Sequence, residues 1–357
     1  MISVIGAGPA GSYVSYLLAK GGEKVNLYEE HSEIGKPVQC TGITTSYLKD
    51  IIKEDKFVLN EIKKVRVISP NKSEIDFNLG KKNLVIDREK FDKKVFDMAR
   101  DEGVKVFLKH KFIGCEFKDN KINMKINKKV IETDYLVGAD GPLSSVAKSC
   151  DIFGKRSFLV GVQARVRGKW DPDVFSVYFG NSIAPGFFAW IVPESEKVAR
   201  VGLATKDDPS NYFKKFVNGK IIDKQGGVIP IYDHKVVSSK DNVFLVGDSA
   251  MQIKNTTGGG VYPGLVCAEE LSKSILEKKN YEKNWKKRIG KELKTGAKIR
   301  NILNKFSDND YDSLMELTKK DQIRNLIEKH DREFPSKFLF KMILKEPRFL
   351  KFSKKLF

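Results

Sequence analysis

The chain has 357 residues, of which 41% are hydrophobic and 31% are charged, and it carries a formal net charge of +19 at pH 7. A chain of this length can bury the cores of two or three domains, and no apolar run approaches the ~20 residues that cross a bilayer, which excludes a small stapled module and a membrane-spanning protein. The four cysteines (Cys40, Cys115, Cys150 and Cys267) lie far apart without a CxxC pair, so we expect free thiols and no metal site.

The positive charge is concentrated towards the C-terminus. Residues 271–357 hold 24 Lys or Arg against 12 Asp or Glu, which gives +12 of the total. Such an excess could attract nucleic acid, but no recognised nucleic-acid motif accompanies it, and anionic lipid headgroups attract the same side chains. High Lys with Glu also occurs in proteins of heat-loving organisms. We expect no nucleic-acid partner.

The first thirty residues predict a βαβ unit, with a strand over 2–5, a helix over about 9–20 and a strand over 24–29. No charged leader precedes the first strand, so no signal peptide is predicted and we expect the protein in the cytosol. The turn fits the pattern GxGxxG, whose glycines let a pyrophosphate approach the positive end of the helix. Glu29 ends the second strand, where it can accept hydrogen bonds from a ribose hydroxyl. The predicted nucleotide-binding residues are Gly6, Gly8, Ala10, Gly11 and Glu29.

The rest of the chain predicts a nucleotide-binding domain that a second domain interrupts. Residues 57–80 alternate in short strand-like stretches, and residues 157–236 are rich in strands and aromatics. The other predicted elements are a helix over 87–102, strands near 104–117, 121–126, 135–137 and 243–247, and helices from about 261 onward. We therefore predict an α/β fold with a nucleotide domain of 1–56, 82–155 and 237–275, a β-sheet substrate domain of 57–81 and 156–236, and a basic helical region of 276–357.

Two later segments decide between NAD and FAD. Tyr135-Leu-Val-Gly-Ala-Asp140-Gly141 resembles the Asp-Gly motif of the p-hydroxybenzoate hydroxylase superfamily, and Val243-Phe-Leu-Val-Gly-Asp248 resembles its Gly-Asp motif. The resemblance implies a Rossmann-type FAD-binding domain in which Asp248 contacts the ribityl and pyrophosphate region. Arg88 matches the superfamily arginine near the adenine half, and Lys148 replaces the usual arginine of the first motif without loss of charge. The cofactor residues added on this basis are Arg88, Phe112, Asp140, Gly141 and Asp248.

The loop after Asp248 contains a triple glycine. Residues 251–262 contain Gln-x-Lys-x-Thr-Thr-Gly-Gly-Gly, which closely resembles a stretch found in the archaeal members of the geranylgeranyl reductase family. Three successive glycines, Gly258, Gly259 and Gly260, leave a surface against which a planar isoalloxazine can lie. The helix that begins near Val261 would direct its positive end at the ring. We therefore assign these glycines and Val261 to the flavin site.

Two further segments agree with this family. Residues 34–42 resemble its Gly-x-Pro-Val-x-Cys-x-Gly loop near the flavin, which implies cofactor contacts for Cys40, Thr41 and Gly42. Cys40 is also the candidate catalytic residue, with packing favoured over proton relay because an ordinary thiol is a sluggish acid at neutral pH. Residues 185–193 resemble the family's Tyr-x-Trp-x-Phe-Pro motif, but a phenylalanine replaces the tyrosine, which argues against a tyrosine proton donor there. The predicted substrate pocket comprises Phe188, Trp190, Pro193, Tyr178 and Tyr262.

The family resemblance implies a reductase of carbon–carbon double bonds in the geranylgeranyl chains of archaeal-type membrane lipids. Reduced FAD would supply a hydride from N5, with the proton coming from water or from a tyrosine such as Tyr178, and the electron donor would be reduced ferredoxin or NAD(P)H. The alternatives are an FAD-dependent monooxygenase or halogenase of the same superfamily, and a flavin-binding lipid carrier. The tail 335–357 interleaves seven basic residues with apolar ones, which predicts either peripheral contact with the cytoplasmic membrane face or a terminal helix packed on the protein.

Overall fold

The structure, a computed structural model, describes residues 1–119, 121–331 and 333–356. In chain order its strands are β1 (Ile2–Ile5), β2 (Val25–Glu29), β3 (Ile43–Thr45), β4 (Val58–Ile68), β5 (Glu74–Ile86), β6 (Lys105–Leu108), β7 (Phe112–Lys118), β8 (Lys121–Ile126), β9 (Lys129–Thr133), β10 (Tyr135–Gly138), β11 (Ser157–Arg167), β12 (Val174–Tyr178), β13 (Ala189–Pro193), β14 (Val198–Thr205), β15 (Lys220–Ile231), β16 (Ser239–Lys240) and β17 (Val243–Leu245). Its α-helices are α1 (Pro9–Lys20), α2 (Leu48–Ile51), α3 (Arg88–Asp101), α4 (Ser145–Ser149), α5 (Ser210–Phe216), α6 (Val261–Leu276), α7 (Tyr281–Trp285), α8 (Lys291–Leu303), α9 (Asp308–Thr318), α10 (Asp321–Lys329), α11 (Ser336–Lys345) and α12 (Leu350–Ser353). Short 3-10 helices cover Gly247–Ala250, Pro347–Phe349 and Lys354–Leu356, and a π-helical turn covers Lys286–Gly290.

The chain folds into two compact units, each discontinuous in sequence. Unit 1 comprises Met1–Val38, Arg88–Ser157 and Pro230–Lys294, and unit 2 comprises Gln39–Asp87, Phe158–Ile229 and the chain from Thr295. This arrangement confirms the predicted α/β fold with an interrupted Rossmann-type domain. The first boundary lies at residue 38 and not at residue 56, because β3 pairs with β5 and so joins the sheet of unit 2. The C-terminal helices belong to unit 2 and form no separate unit among the described residues.

The central sheet of unit 1 has the strand order β16-β17-β10-β1-β2-β6. Strands β17, β10, β1, β2 and β6 run parallel, and β16 is antiparallel to β17. All four residues of β1 are buried, as expected for a parallel strand covered on both faces. The carboxyl ends of β1 and β10 lead into the two predicted glycine turns. Because parallel strands end at the same edge, the sheet itself brings these turns together.

Two predicted strand boundaries differ from the structure. The stretch 57–80 forms two long paired strands, β4 and β5, whose register shifts between Val58 and Asn60 and between Ile62 and Lys64. These irregularities break the alternation of exposed and buried residues, so the pattern indicated shorter strands. The strand predicted over 243–247 ends at Leu245, because Gly247 takes a φ of +72° and begins a 3-10 turn.

The eight-stranded sheet of unit 2 has the order β15-β11-β14-β13-β12-β4-β5-β3 and presents two different faces. Cross-strand register places Val177, Trp190, Gly202 and Gln163 in one row on one face. The next row, on the opposite face, contains Tyr178, Ala189, Leu203 and Val162. This second face packs against α5, while Met315 of α9 packs against the first face near β5.

The C-terminal helices of unit 2 pack through their own apolar residues. Ile323 and Leu326 of α10 contact Met342 of α11, with Phe338 and Phe349 against the same cluster. Phe352 packs with Phe306 and Tyr311. In the part of the chain that the structure describes, none of the helices has the length and apolar character needed to cross a membrane.

Candidate functional site

The turn after β1 combines two crowded glycines with an open one. Gly6 has a φ of +98°, and a Cβ there would lie 2.5 Å from the carbonyl oxygen of Ala139. A Cβ on Gly11 would lie 1.9 Å from the carbonyl oxygen of Gly6. Gly8, the N-cap of α1, has no atom within 4 Å of such a Cβ. The turn is therefore packed on its inner side and open at the positive end of the helix, which fits a bound pyrophosphate.

Glu29 connects the end of β2 to this turn. Its Oε2 accepts a hydrogen bond from the amide of Ala7 at 2.8 Å, and its Oε1 accepts one from the amide of His31 at 2.9 Å. The ring Nδ1 of His31 lies 2.6 Å from the same Oε1. Glu29 thus fixes the glycine turn, and its contact with a ribose stays a prediction. The sequence analysis missed His31, because a histidine just beyond a strand carries no motif.

Asp140 holds the N-terminus of α4. Its Oδ1 accepts a hydrogen bond from the hydroxyl of Ser144 at 2.6 Å, and its Oδ2 accepts one from the amide of Val146 at 3.0 Å. Burial raises the pKa of Asp140, although these hydrogen bonds oppose the shift. Gly141 follows with a φ of +77° and open space beside its Cα. The Asp-Gly motif therefore shapes this turn through its aspartate and leaves the glycine accessible.

Asp248 lies at the positive end of α6. A Cβ on Gly260, the N-cap of that helix, would lie 2.6 Å from Oδ1 of Asp248. Burial raises the pKa of Asp248, and the charge of Arg88 opposes this shift. Arg88 itself forms a bidentate ion pair with Asp92, with N···O distances of 2.8 and 2.9 Å. The structure thus brings Asp248, Arg88 and the end of the triple-glycine loop together within unit 1.

The polar residues of the 251–260 loop brace it from inside. The buried Gln252 accepts a hydrogen bond from the amide of Gly247 at 2.8 Å and donates one to the hydroxyl of Tyr281 at 2.8 Å. The buried Asn255 accepts from the amide of Tyr232 at 2.7 Å and donates to the carbonyl of the same residue at 3.0 Å. Gln252 and Asn255 therefore support the fold of the loop, and contact between its glycines and a flat ring stays a prediction.

Close packing also explains why Ala10, Gly247 and Gly264 of unit 1 are small residues. A Cβ on Gly247 would lie 3.0 Å from Cβ of Ala10, and one on Gly264 would lie 3.4 Å from Cα of Gly247. Ala10 therefore allows α1 to approach the turn before Asp248. Its role in the structure is packing, which is compatible with the predicted cofactor site but does not test it.

Phe112 and Tyr262 lie apart from the other residues that were predicted to share their sites. Phe112 is buried in the hydrophobic core of unit 1, in a cluster that also contains Ile5, Tyr28 and Met124. Its ring fills this core, so the prediction of a cofactor contact is corrected for its side chain. Tyr262 lies in the first turn of α6 in unit 1, whereas the other predicted substrate residues belong to unit 2.

In unit 2, the loop that carries Cys40 is held at three successive carbonyls. The carbonyl of Cys40 accepts a hydrogen bond from Nε2 of Gln163 at 3.2 Å, that of Thr41 accepts one from the guanidinium of Arg200, and that of Gly42 accepts one from the amide of Ile86 at 2.7 Å. The amide of Gly42 also donates to Sγ of Cys40 at 3.2 Å. The loop therefore has a defined conformation, with the half-buried thiol at its centre.

Phe188 and Trp190 form part of a cluster of aromatic rings. The ring of Phe188 stacks on Phe187 at a centroid distance of 4.2 Å and meets Trp190 edge-on at 6.0 Å. Phe179 contacts Phe188 edge-on at 5.9 Å. The guanidinium of the buried Arg300 lies 4.5 Å from the centroid of Phe187, and burial lowers its pKa to about 10. Phe188 and Trp190 thus lie in one packed group of rings, and their contact with a substrate stays a prediction.

Tyr178 and Pro193 lie on the other face of the sheet. Tyr178 pairs with Ala189 and contacts Phe216 of α5 edge-on at 5.1 Å. Pro193 pairs with Ala199, which also packs in the α5 cluster. Because side chains alternate along a strand, neither residue shares a face with Trp190. The prediction that they line one pocket with Trp190 is therefore corrected, and a proton-donor role for Tyr178 stays a prediction.

The sequence analysis missed a polar network beneath the Cys40 loop. Glu194, only 9% exposed, receives hydrogen bonds from Arg200 at 2.7 Å and from Arg165 at 2.9 Å. Burial alone would raise the pKa of Glu194, but the two arginines lower it. Arg200 interrupts the otherwise apolar strand β14, which is the signal that could have identified it. Gln163 likewise interrupts an apolar stretch of β11, but its partners come from distant parts of the chain and could not be predicted from the sequence.

Segments of both units match the models of known protein families. Residues 4–42 match the model of an NAD(P)-binding Rossmann-like domain, and residues 159–233 match the model of the geranylgeranyl reductase catalytic domain. A solved structure of a geranylgeranyl bacteriochlorophyll reductase-like protein from Thermoplasma acidophilum has a TM-score of 0.85 at 24% identity and covers 100% of this chain and 98% of that one. The structure of a flavin-dependent brominase has a TM-score of 0.71 at 16% identity and covers 97% of this chain and 99% of that one. These similarities show the fold, which is shared with flavin-dependent enzymes.

One curated relative identifies the family. The digeranylgeranylglycerophospholipid reductase of Methanocaldococcus jannaschii is 33% identical to this chain. The match covers 99% of this chain and 97% of that protein. Identity at this level extends over nearly the full length of both chains and includes both units. This chain belongs to the digeranylgeranylglycerophospholipid reductase family.

Proposed function

We propose that this protein uses FAD to reduce the carbon–carbon double bonds of geranylgeranyl chains in archaeal-type membrane lipids. The observation that carries the proposal is full-length similarity to a digeranylgeranylglycerophospholipid reductase, together with the match of residues 159–233 to the geranylgeranyl reductase catalytic domain. The reaction class is therefore that of an oxidoreductase acting on the double bonds of lipid chains. FAD, the electron donor and contact with a membrane are the parts that go beyond this similarity.

The residues of unit 1 fit FAD. The open Gly8 at the N-terminus of α1 suits a pyrophosphate, and the triple-glycine loop offers backbone to a flat ring. Asp248 would hold the ribityl and pyrophosphate region and Arg88 the adenine half of the cofactor, in keeping with the expectations for these motifs. Bound in its reduced form, the flavin would supply a hydride. The basic surface could receive an acidic protein such as reduced ferredoxin, and NAD(P)H is the other candidate donor.

Unit 2 supplies the residues for the lipid. An unactivated alkene has no carbonyl for a general acid to polarise, so the protein contributes mainly by holding the chain in place and excluding water. Phe188 and Trp190 provide apolar rings for this purpose, and neither ring can act as a general acid. We infer that Cys40 packs near the reacting carbons. Its thiol receives a hydrogen bond from the amide of Gly42, which directs the sulfur within the loop.

Mass spectrometry of the lipid product tests the proposed function. The purified protein, loaded with FAD and reduced under anaerobic conditions, is incubated with a lipid that carries geranylgeranyl chains. We expect the lipid to gain two hydrogens for each double bond that is reduced. The variant Cys40→Ser should keep its FAD and reduce fewer bonds or reduce them more slowly. A lipid of unchanged mass with the wild-type protein would refute the proposal, and an unchanged Cys40→Ser variant would remove Cys40 from the reaction.

The tail has a surface suited to a membrane. Phe340, Leu344 and Leu350 are 67%, 63% and 50% exposed, although Met342 and Phe352 of the same segment are buried. We call the three exposed residues the tail surface. Basic residues occur along the same segment, so apolar insertion and headgroup attraction can act together. The tail thus has buried residues that pack on the protein and exposed ones that are available to a lipid surface. Phe357, its last residue, lies outside the described residues. The basic residues are Lys337, Lys341, Lys345, Arg348, Lys351, Lys354 and Lys355.

A further inference from the structure

The side-chain amide of Gln163 joins two segments that are far apart in sequence. Its Oε1 accepts hydrogen bonds from Nε1 of Trp190 at 3.2 Å and from the hydroxyl of Thr41 at 2.9 Å. Its Nε2 donates to the carbonyl of Cys40 at 3.2 Å and to Oε1 of Gln225 at 2.9 Å. A primary amide offers two donor hydrogens and one acceptor oxygen with two lone pairs, so its capacity is filled.

The chemistry of the partners fixes the orientation of this amide. An indole nitrogen can only donate and a backbone carbonyl can only accept, so the oxygen of Gln163 must face Trp190 and the nitrogen must face Cys40. A flipped amide would set a donor against a donor and an acceptor against an acceptor. Trp190 and the Cys40 loop are therefore held in one mutual arrangement.

The surroundings of Gln163 are shaped to keep this arrangement. Gly202 lies beside it on the neighbouring strand, and a Cβ there would lie 2.5 Å from Cβ of Gln163 and 2.8 Å from Cε2 of Trp190. Gln163 is itself only 5% exposed. Burying an amide costs free energy that only its hydrogen bonds offset, and an apolar residue would serve a purely structural strand better. This polar residue therefore points to a role beyond sheet packing.

We propose that Gln163 is a positioning residue that holds the Cys40–Thr41 backbone against Trp190 and thereby places the lipid chain for reduction. The inference rests on the proposed function for the involvement of Trp190 and Cys40 in the reaction. Within this loop Arg200 donates to the next carbonyl, that of Thr41, whereas Gln163 donates to the carbonyl of Cys40. Gln163 lies within the segment that matches the geranylgeranyl reductase catalytic domain.

Two variants and a matched control test this role. Gln163→Leu removes all four hydrogen bonds at similar size. Gln163→Glu keeps the acceptor for Trp190 and Thr41 and can donate to Cys40 only when it is protonated. The control, Val162→Ala, weakens the same strand on the opposite face, where Val162 pairs with Leu203 and packs in the α5 cluster.

The first readout is the alkylation rate of Cys40 by iodoacetamide in the folded protein, measured by peptide mapping. We expect the rate to rise about tenfold in Gln163→Leu, as the loss of its two hydrogen bonds to Cys40 and Thr41 implies, and to stay near the wild-type value in Val162→Ala. An unchanged rate in Gln163→Leu, or an equal rise in the control, would overturn the proposal. If Gln163→Leu does not fold, Gln163→Glu decides: the ratio of its alkylation rate to that of the wild type at the same pH should rise with pH as the glutamate loses its proton, because the thiolate fraction raises both rates alike.

The second readout is steady-state reduction of the geranylgeranyl lipid. We expect kcat to fall about tenfold in Gln163→Leu with a smaller change in KM, and Gln163→Glu to recover activity as the pH is lowered, relative to the wild type. Faster alkylation with unchanged lipid reduction would overturn the positioning role. If the wild type does not reduce the lipid, the proposed function fails, whereas the alkylation comparison still decides whether Gln163 holds the loop.

Discussion

The carboxylate of Asp248 lies so close to Gly260 that a Cβ there would stand 2.6 Å from Oδ1. Gly260 is the N-cap of α6, so the carboxylate faces the positive end of that helix. Any side chain at position 260 would displace it. The Gly-Asp motif and the triple-glycine loop, which are separate in sequence, therefore form one structural feature.

Replacement of Asp248 by Asn should weaken FAD binding without unfolding the protein. Burial raises the pKa of Asp248, so its ionisation costs stability in the cofactor-free protein. This cost is absent below the unfolded pKa of about 3.9 and appears as pH rises through the folded value. We expect cofactor-free Asp248→Asn to be at least as stable as the wild type at pH 7, and to purify with much less FAD. Thermal unfolding and flavin absorbance measure both effects, and full flavin occupancy in the variant would contradict the assignment.

Gly8→Ala and Gly11→Ala should separate cofactor binding from folding. A Cβ on Gly8 meets no protein atom within 4 Å, whereas one on Gly11 would lie 1.9 Å from the carbonyl oxygen of Gly6. We expect Gly8→Ala to keep the melting temperature of the cofactor-free protein and to lose FAD affinity by about tenfold or more, because its methyl group enters the space left for the pyrophosphate. Gly11→Ala should lower both the melting temperature of the cofactor-free protein and its affinity for FAD. Equal FAD affinity in Gly8→Ala and the wild type, measured by fluorescence titration, would place the pyrophosphate elsewhere.

Unit 1 could be predicted from the sequence more fully than unit 2. The glycines, Glu29 and Asp248 stand in local motifs beside single strands, so their positions follow from the order of the elements. Tyr178 and Pro193 were misplaced because the face that a residue occupies depends on the register of the whole sheet. Gln163 was missed for a related reason, since its contacts with Cys40 and Trp190 arise only when three distant segments meet.

Glu194→Gln should destabilise the protein in a pH-dependent way. The two arginines lower the pKa of Glu194, so its contribution to stability is present above the unfolded value of about 4.3 and is lost as pH falls through the folded value. Removing one partner of a buried ion pair costs about 3–5 kcal/mol in the free energy of unfolding. We expect that difference between the wild type and Glu194→Gln at pH 7, and a smaller one at a pH below the folded value. Urea unfolding at both pH values measures it; a difference independent of pH would show that the charge of Glu194 has no part.

Charges placed on the tail surface should weaken membrane binding. Phe340→Glu and Leu344→Glu each remove an exposed apolar side chain and add a negative charge among basic residues. We expect the combined variant to bind vesicles that contain anionic phospholipid at least about tenfold less well, because burial of one such side chain is worth about 1.5–3 kcal/mol. Val130→Glu is the matched control, since Val130 is 70% exposed and lies in unit 1, outside the tail. Cosedimentation that is equal for all three proteins would rule out the tail as a membrane contact.

Anaerobic single-turnover reoxidation tests the central claim most directly. The protein is loaded with FAD, reduced chemically, and mixed either with a geranylgeranyl lipid or with its fully saturated counterpart, while the flavin absorbance is followed. We predict that oxidised flavin returns with the unsaturated lipid only, in an amount that equals the double bonds lost. Flavin that stays reduced with both lipids, or that returns equally with both, would contradict the proposed reduction of lipid double bonds.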